Sequence, residues 1–230
     1  MSERITDLVD AQIRRSELSH VVRDEETGPV PEERWPVVTI SRQLGSGGRR
    51  VAEKLADTLE FSIWDAELVE QMAKDASVAE RLVKSFDERA VSEIDVLVRH
   101  LVGEPRIGGF QYKRHLTRTI LQIARLGNAI ILGRGANFVL PHALNVRIVG
   151  SRELRIDNMI QFEGQNRNEA TRAIDASDSA RADFSRRIWG RDWSDPIFYD
   201  VVIRMDEFTN DQAAQVIAEA LRIRTEQQGA

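Results

Sequence analysis

From Val37 to Leu59 the chain reads VVTISRQLGSGGRRVAEKLADTL, in which an apolar run, a glycine-rich turn and a helical pattern follow each other closely. The run at 37–40 is rich in β-branched residues and is preceded by Pro36, which predicts a short strand buried on both faces. After the glycines, apolar residues recur at helical spacing from Val51 onward. This stretch therefore predicts a buried strand that leads through a glycine loop into an amphipathic helix.

Alternating strands and helices continue along the chain. Four more strands are predicted, at 63–64, 129–132, 146–149 and 199–205. Helices are predicted to begin at Asp65, at Ser151 and at Thr209, where Gln212 completes a capping box. The apolar pattern of the last helix predicts a buried face made of Val216, Ile217, Ala220 and Leu221. Strands that alternate with helices favour a parallel sheet covered on both faces, which is a three-layer α/β/α domain.

Composition narrows the class of protein. With 42% hydrophobic and 30% charged residues over 230 positions, the chain has a globular rather than a disordered composition. The net charge of −5 argues against nonspecific binding of nucleic acid. The absence of cysteine excludes disulfides, thiol nucleophiles and cysteine-ligated zinc. No stretch approaches the ~20 apolar residues that cross a bilayer, and the polar N-terminus is unlike a secretory signal, so we expect a cytoplasmic protein without membrane partners.

The first 34 residues differ in composition from the rest of the chain. Apolar residues at 5–13 recur at helical spacing, and the stretch 24–33, rich in acids, glycine and proline, is typical of a linker. We therefore expect an N-terminal extension over 1–34 and a single domain over 35–226. One interpretation of the extension is a flexible or loosely docked arm. The other is an arm that makes dimer contacts, which would make the protein a homo-oligomer.

The glycine loop Gly45-Ser46-Gly47-Gly48 has the chemistry of a phosphate site. A loop between a buried strand and a helix presents backbone N–H groups, and the positive end of the helix dipole lies at the same place. Glycine is needed because the chain must adopt conformations closed to other residues while it approaches the ligand. A tight turn without a ligand is the alternative, and the position between this strand and this helix favours the phosphate site.

A phosphate-binding loop of the P-loop type follows the pattern G-x-x-x-x-G-K-[ST], from which the chain departs at three positions. With the glycines aligned, Arg42 occupies the first glycine position, Gly48 replaces the lysine, and Arg49 replaces the hydroxyl residue that holds magnesium. The loop thus lacks the point charge that contacts the β- and γ-phosphates. Arg42, Arg49 and Arg50 are the candidates for supplying that charge, because guanidinium binds phosphate in bidentate geometry. The alternative is that they are solvated side chains at the start of the helix, which is the favoured interpretation for Arg50.

Several segments, in their order along the chain, resemble the cytidylate kinase-like family. The matching segments are VTISRQLGSGG at 38–48, IWDAEL at 63–68, IILGRGAN at 130–137, RADF at 181–184, GRDWSDP at 190–196 and YD at 199–200. The resemblance implies a P-loop nucleoside-triphosphate hydrolase fold, α/β with three layers, a parallel sheet, and helical insertions that serve as acceptor lobe and lid. It also implies ATP as the phosphoryl donor and Mg²⁺ as the accompanying metal.

The resemblance also assigns an arginine to the acceptor. Cytidylate kinases carry a G-R-D segment near the acceptor nucleotide, and this chain carries Gly133-Arg134-Gly135 there. Arg134 is therefore expected to hold the phosphate or base of the acceptor. Gly135 replaces the aspartate, so the resemblance does not extend to cytosine recognition. The alternative for Arg134 is a structural ion pair with a carboxylate at the end of the strand.

A second group of arginines resembles the lid of cytidylate kinases. The segment DSAR at 178–181 is similar to the D-S-x-R of those lids, and more arginines follow it. Arg181 first and Arg187 second are expected to stabilise the phosphoryl group during transfer, which depends on positioning and positive charge. The alternative is a solvated helix surface, on which nearby aspartates balance the arginines.

Together these features lead to phosphoryl transfer from ATP to a nucleoside monophosphate, with CMP or dCMP suggested by the resemblance only. Arg42 and the loop from Gly45 to Arg49 would hold the donor phosphates. No set of protein side chains is expected to ligate a metal, so Mg²⁺ would be held mainly by phosphates and water. Two alternatives remain open: a nucleotide-binding regulatory module without turnover, and a kinase for a non-nucleotide acceptor.

Overall fold

The computed structural model of the protein describes residues 9–11, 13–14, 36–74, 86, 88–102 and 110–229. A five-stranded sheet lies at its centre, and every neighbouring pair of strands is parallel. The strands are β1 (Val37–Arg42), β2 (Ser62–Trp64), β3 (Ala129–Leu132), β4 (Leu144–Val149) and β5 (Val201–Arg204), in the order β2-β3-β1-β4-β5. The chain leaves β1 toward β2 on one side and leaves β4 toward β5 on the other. The switch point, where open parallel sheets bind ligands, therefore lies between β1 and β4.

Helices cover both faces of the sheet. They are α1 (Gly48–Leu59), α2 (Ala66–Lys74), α3 (Glu88–Val102), α4 (Phe110–Leu126), the short α5 (Ala136–Val139), α6 (Arg152–Glu163), α7 (Arg167–Phe184) and α8 (Asn210–Gly229). A π-helical turn (Ser185–Trp189) continues α7, and a 3₁₀ turn (Pro196–Phe198) precedes β5. Helices α1 and α8 pack on one face, whereas α2, α3 and α4 pack on the other. The predicted three-layer α/β/α architecture is thus confirmed.

The predicted helix starts are confirmed by their hydrogen bonds. The Asp65 carboxylate accepts from the amides of residues 67 and 68 at 3.1 and 2.9 Å, at the start of α2. The Ser151 hydroxyl accepts from the amide of residue 154 at 3.2 Å, at the start of α6. Thr209 and Gln212 form the reciprocal capping box of α8, with distances of 2.9 and 3.2 Å. Each cap satisfies amides that the first helical turn leaves free.

The predicted buried face of α8 was wrong at one position. Ile217 and Leu221 are buried as expected, but the side chain of Val216 is 41% exposed. The buried stripe instead includes Ala213 and Ala214, which precede Ile217 by one helical turn. Residues 213, 217 and 221 are four apart and share one face, whereas residue 216 is rotated about 100° from residue 217 and points outward.

Part of the predicted N-terminal extension is described. Val9 is fully buried against the core formed by α2, α3 and α4, and Ile13 packs against the same core. The remainder of residues 1–35 lies outside the described residues, so the division between an extension at 1–34 and a domain at 35–226 stays a prediction. Among the helices that the structure describes, none combines the length and the apolar character needed to cross a bilayer.

Candidate functional site

The glycine loop between β1 and α1 has the backbone geometry that phosphate binding requires. Gly45 and Gly47 adopt left-handed conformations, with φ of 77° and 82°, which other residues rarely adopt. The Ser46 hydroxyl is buried in the loop and donates to the carbonyl of Gln43 at 2.9 Å. In the described structure, the amides of residues 48–50, the first turn of α1, donate to no protein acceptor. A nucleotide phosphate fits these free amides at the positive end of α1.

Helix α6 holds the glycine loop in place. Arg155 Nε donates to the carbonyl of Leu44, and Asn158 Nδ2 donates to the carbonyl of Gly45, both at 2.7 Å. The Arg155 guanidinium also forms a bidentate pair with Asp178 of α7, with both distances at 2.8 Å. The sequence analysis did not identify Arg155 and Asn158. Their loop partners are 111 and 113 residues away, and no local pattern reports such contacts.

Arg42 ends β1, and its side chain runs across the start of α1. A Cβ atom added at Gly48 would lie 2.6 Å from Arg42 Cβ, and one added at Gly133 would lie 2.5 Å from Arg42 Nη1. The Arg42 guanidinium forms no hydrogen bond or ion pair with the residues that the structure describes. Burial, aided by repulsion from Arg181, lowers the pKa of Arg42 to about 10, so the group is charged at neutral pH. Arg42 therefore occupies the space that a lysine at position 48 would need, and it places a cation there.

Arg134 follows β3 and lies at the edge of the same region. Its backbone is left-handed, with φ of 53°, and its Nε donates to the carbonyl of Ala66 at 3.1 Å. Its guanidinium forms an ion pair with Glu70 of α2 and lies 5.3 Å from the centre of the Phe184 ring. Arg134 thus has both a structural carboxylate partner and a position beside the cavity described below. This geometry is compatible with both roles predicted for Arg134, binding of the acceptor and a structural ion pair.

The two lid arginines differ in their surroundings. Arg181 of α7 donates to the carbonyl of Arg42 through Nη1 and to the Ser177 hydroxyl through Nε, the latter at 3.1 Å. Burial lowers the pKa of Arg181, whereas Asp178 raises it and neighbouring arginines lower it further. Arg187 is exposed on the π-helical turn and is not among the residues that line the cavity. Of the two predicted lid arginines, Arg181 is therefore half-buried beside the cavity, and Arg187 lies at the surface.

The side chain of Arg49 lies at the surface. It is 72% exposed, and its Nε donates to Glu53 one turn along α1 at 3.2 Å. Its nearest approach to Asp65 is 3.9 Å. In this conformation, residue 49 contributes its backbone amide to the free first turn of α1, while its guanidinium is engaged at the surface.

A cavity of about 310 Å³ lies at the carboxyl ends of β1 and β3, beneath α7 and the π-helical turn. Three arginines line it, namely Arg42, Arg134 and Arg181. Aromatic side chains form much of the rest, namely Phe138, Phe184, Trp189, Trp193 and Tyr199. No aspartate or glutamate is present among the lining residues, all of which belong to the described part of the chain. The cavity is therefore suited to an anion that carries an apolar or planar part.

Trp189 explains why glycine stands at position 135. A Cβ atom added at Gly135, where φ is 72°, would lie 2.1 Å from Trp189 Nε1 and 2.6 Å from Cδ1. The indole thus occupies the space into which an aspartate at this position would project. The Nε1 of Trp189 and the Nδ2 of Asn137 are buried in the cavity wall without a hydrogen-bond partner in the described structure. The wall presents donors where a carboxylate would present acceptors.

This contact predicts a cost for any side chain at position 135. We expect Gly135→Ala to lower the free energy of unfolding by about 1–3 kcal/mol more than a control, because overpacking must displace the indole. Gly164→Ala is the matched control, since φ is 67° there and nothing lies within 4 Å of its added Cβ. Urea denaturation of the two variants measures the difference. Equal losses in the two variants would contradict the contact.

Comparisons with known proteins agree with this architecture. The model of the cytidylate kinase-like family matches residues 37–207. A comparison with curated proteins gives no match. An uncharacterized protein from Eubacterium ventriosum is similar in structure, with 21% identity and a TM-score of 0.57, over 81% of this chain and 98% of that one.

Two shikimate kinases are more distant in structure. The enzyme from Bacteroides thetaiotaomicron has 14% identity and a TM-score of 0.45, over 81% of this chain and 98% of its own. The enzyme from Acinetobacter baumannii, in complex with shikimate, has 12% identity and a TM-score of 0.45, over 84% and 98%. The family match confirms the predicted resemblance and, with the parallel sheet, the predicted P-loop kinase fold.

Proposed function

The chain belongs to the cytidylate kinase-like family, and from this we propose that it transfers a phosphoryl group from ATP to a nucleoside monophosphate. Membership of the family supports a nucleotide-binding function of the kinase type. The nucleotide acceptor, CMP or dCMP by resemblance, is the finer part of the proposal.

One observation carries the proposal. Arg42, whose guanidinium has no hydrogen-bond or ion-pair partner in the described structure, lines the cavity, and its Cβ lies against Gly48 at the start of α1, where the helix amides are free. Arg134 and Arg181 also line that cavity. Phosphoryl transfer is catalysed mainly by positioning and by stabilisation of negative charge, and this arrangement supplies both.

Each group has a proposed role. The loop from Gly45 to Arg49 binds the donor phosphates through its amides, and Arg42 supplies the charge of the missing lysine. Arg134 contacts the acceptor, and Arg181 stabilises the phosphoryl group during transfer. Arg187 would join Arg181 through a movement of the π-helical turn toward the cavity. No general base is assigned, because a phosphate acceptor is already an anion.

The residues present fit ATP better than they fit a protein-bound metal. The free amides of α1 suit the nucleotide phosphates. Among the described residues, no group of three or more histidine, aspartate or glutamate side chains could hold a metal ion. The proposal keeps Mg²⁺ held mainly by the phosphates and water, where it would neutralise charge on the phosphates.

A non-nucleotide acceptor is the second candidate. It is favoured by the lining of the cavity, which contains no carboxylate to accept a hydrogen bond from the amino group of cytosine. The N–H donor of Trp189 lies in the space that an aspartate side chain at position 135 would occupy. An acceptor rich in oxygen atoms would be bound better than one that presents an amino group.

The test is ADP production from MgATP with a panel of nucleoside and deoxynucleoside monophosphates and a control without acceptor. We expect turnover that depends on the acceptor. We expect Arg134→Ala to raise the KM for the acceptor by about 10- to 100-fold, because a charged hydrogen bond to the acceptor is lost. Arg118→Ala is the matched control, since Arg118 pairs with Asp95 away from the cavity.

The possible outcomes separate the candidates. An unchanged KM in Arg134→Ala would remove Arg134 from the acceptor site. ATP binding without turnover on any nucleoside monophosphate would leave a non-nucleotide acceptor or a regulatory module. A second panel of phosphorylated and carboxylated sugars then distinguishes those two, because only a kinase forms ADP with one of them.

A further inference from the structure

Arg147 of β4 is a buried cation that the proposed function does not use. Arg147 is paired in register with Ser41 of β1, at the switch point of the sheet, and is 5% exposed. Its Nη1 donates to the carbonyl of Trp193 at 2.5 Å and to the hydroxyls of Tyr199 and Ser41 at 3.3 and 3.5 Å. Within the described residues, no carboxylate forms an ion pair with it. Hydrogen bonds from a nearby serine, and to a lesser extent the charge of Arg147, lower the pKa of Asp192, but a buried guanidinium that forms no ion pair still lowers the stability of a fold.

The groups that Arg147 contacts do not need it. The Tyr199 hydroxyl donates to the carbonyl of Trp193 at 2.6 Å and lies 3.2 Å from the Ser41 hydroxyl oxygen. Without Arg147, the Trp193 carbonyl would keep a donor, and the two hydroxyls would keep each other. Satisfying these three groups therefore does not explain why the chain buries a positive charge here.

Arg155 provides a contrast within the same protein. It is 4% exposed, which is nearly the same burial as that of Arg147, but Asp178 neutralises it through two hydrogen bonds. Arg155 also donates to the glycine loop. One buried arginine is thus fully paired by the protein, and the other has its charge available.

The free charge of Arg147 lies next to the cavity. Ser41, Trp193 and Tyr199, the three residues that it contacts, all line the cavity. The rings of Trp193 and Tyr199 lie 4.3 and 5.4 Å from the Arg147 Cζ atom and hold the plane of the guanidinium. In the described structure, neither Nε nor Nη2 of Arg147 takes part in a hydrogen bond. Arg147 itself is not among the lining residues, so its charge acts on a ligand in the cavity from behind Ser41, Trp193 and Tyr199.

We propose that the Ser41 hydroxyl, with the positive charge of Arg147 directly behind it, forms an oxyanion subsite that binds a carboxylate or phosphate group of the acceptor. The proposal rests on the proposed function, because it names a chemical group of that same acceptor. Guanidinium and hydroxyl donors recognise both kinds of oxyanion. Arg134 is the weaker candidate for an anion, since Glu70 already neutralises it.

The test of the subsite is the thermal unfolding midpoint of the protein, measured during titration with inorganic phosphate or acetate at constant ionic strength. Saturating MgADP is present throughout to occupy the glycine loop. We expect at least one anion to raise the midpoint of the wild type. In Arg147→Met the apparent Kd for that anion should rise by about 10- to 100-fold, because the positive charge behind the Ser41 hydroxyl is lost. Arg147→Lys should retain part of the response.

The midpoint without anions separates a binding role from a structural one. Arg147→Met should unfold at the wild-type temperature or above, whereas Arg155→Met should unfold at a lower temperature because Asp178 loses its partner. Ser41→Ala, which removes the proposed hydroxyl donor, gives a second measurement of the anion response and should weaken it. A response to phosphate alone assigns a phosphate ester, and a response to acetate alone assigns a carboxylate.

Two results would overturn the subsite: an equal anion response in wild type and Arg147→Met, or a midpoint without anions that falls as far as in Arg155→Met. Failure of the proposed function is a different result. In that case MgADP does not bind, or no acceptor supports ADP formation, while the difference between wild type and Arg147→Met in phosphate persists.

Discussion

Arg42→Met is expected to lower kcat/KM for phosphoryl transfer by about 10²- to 10³-fold, the usual effect of removing one group that stabilises charge in a transition state. Arg42 reaches from the end of β1 across Gly48 to Gly133 and forms no ion pair in the described structure. Its charge is therefore free to act on the donor phosphates. Methionine keeps much of the apolar stem of the side chain, so packing over Gly48 should change little.

Arg50→Met is the matched control for this prediction. Arg50 is adjacent to the loop, but its guanidinium stacks on the Phe162 ring at 3.3 Å and does not line the cavity. Steady-state ADP production and ATP affinity should be close to wild type in this variant. Similar losses in the two variants, or no loss in Arg42→Met, would contradict the role of Arg42. Unchanged ATP affinity and turnover in Arg49→Ala would likewise remove that side chain from the donor site.

Gly48→Ala is expected to lower the free energy of unfolding by about 1–3 kcal/mol, although alanine normally favours a helix. The added Cβ would lie 2.6 Å from Arg42 Cβ, which is attached to the backbone and cannot move aside. Gly150→Ala is the control, since its nearest neighbour is the mobile Cδ2 of Leu154 at 3.1 Å. Urea denaturation should show a loss in Gly48→Ala that exceeds the change in Gly150→Ala.

A double-mutant cycle tests whether positions 42 and 48 share one space. In the Arg42→Gly background, Gly48→Ala should lose its cost, because the atom that it meets has been removed. The exchange variant Arg42→Gly/Gly48→Lys should recover part of the turnover lost in Arg42→Gly, since it returns the cation to the helix start. Additive losses in the cycle would show that the two positions do not interact.

Much of the fold could be predicted because its signals are local. The strand, loop and helix between Val37 and Leu59 follow from spacing within a few residues, and so do the caps at Asp65 and Ser151. The local apolar pattern wrongly predicted that Val216 is buried, because apolar character alone does not determine which residues next to Ile217 face the sheet. The glycine loop was predicted as a phosphate site from these signals, together with the candidates for its cation.

The choice among those cations depended on the folded chain. Sequence spacing identified Arg42 and Arg49 equally, but the structure places Arg42 over Gly48 beside the cavity and turns Arg49 toward Glu53 at the surface. The contact of Trp189 with Gly135 and that of Arg147 with Ser41 join residues 54 and 106 positions apart. Periodicity and caps report on neighbours within a few residues, so the strand–loop–helix order and the family follow from the sequence alone. Contacts between residues that are far apart in the sequence determine which charges of the site remain unpaired, and these contacts follow only from tertiary packing.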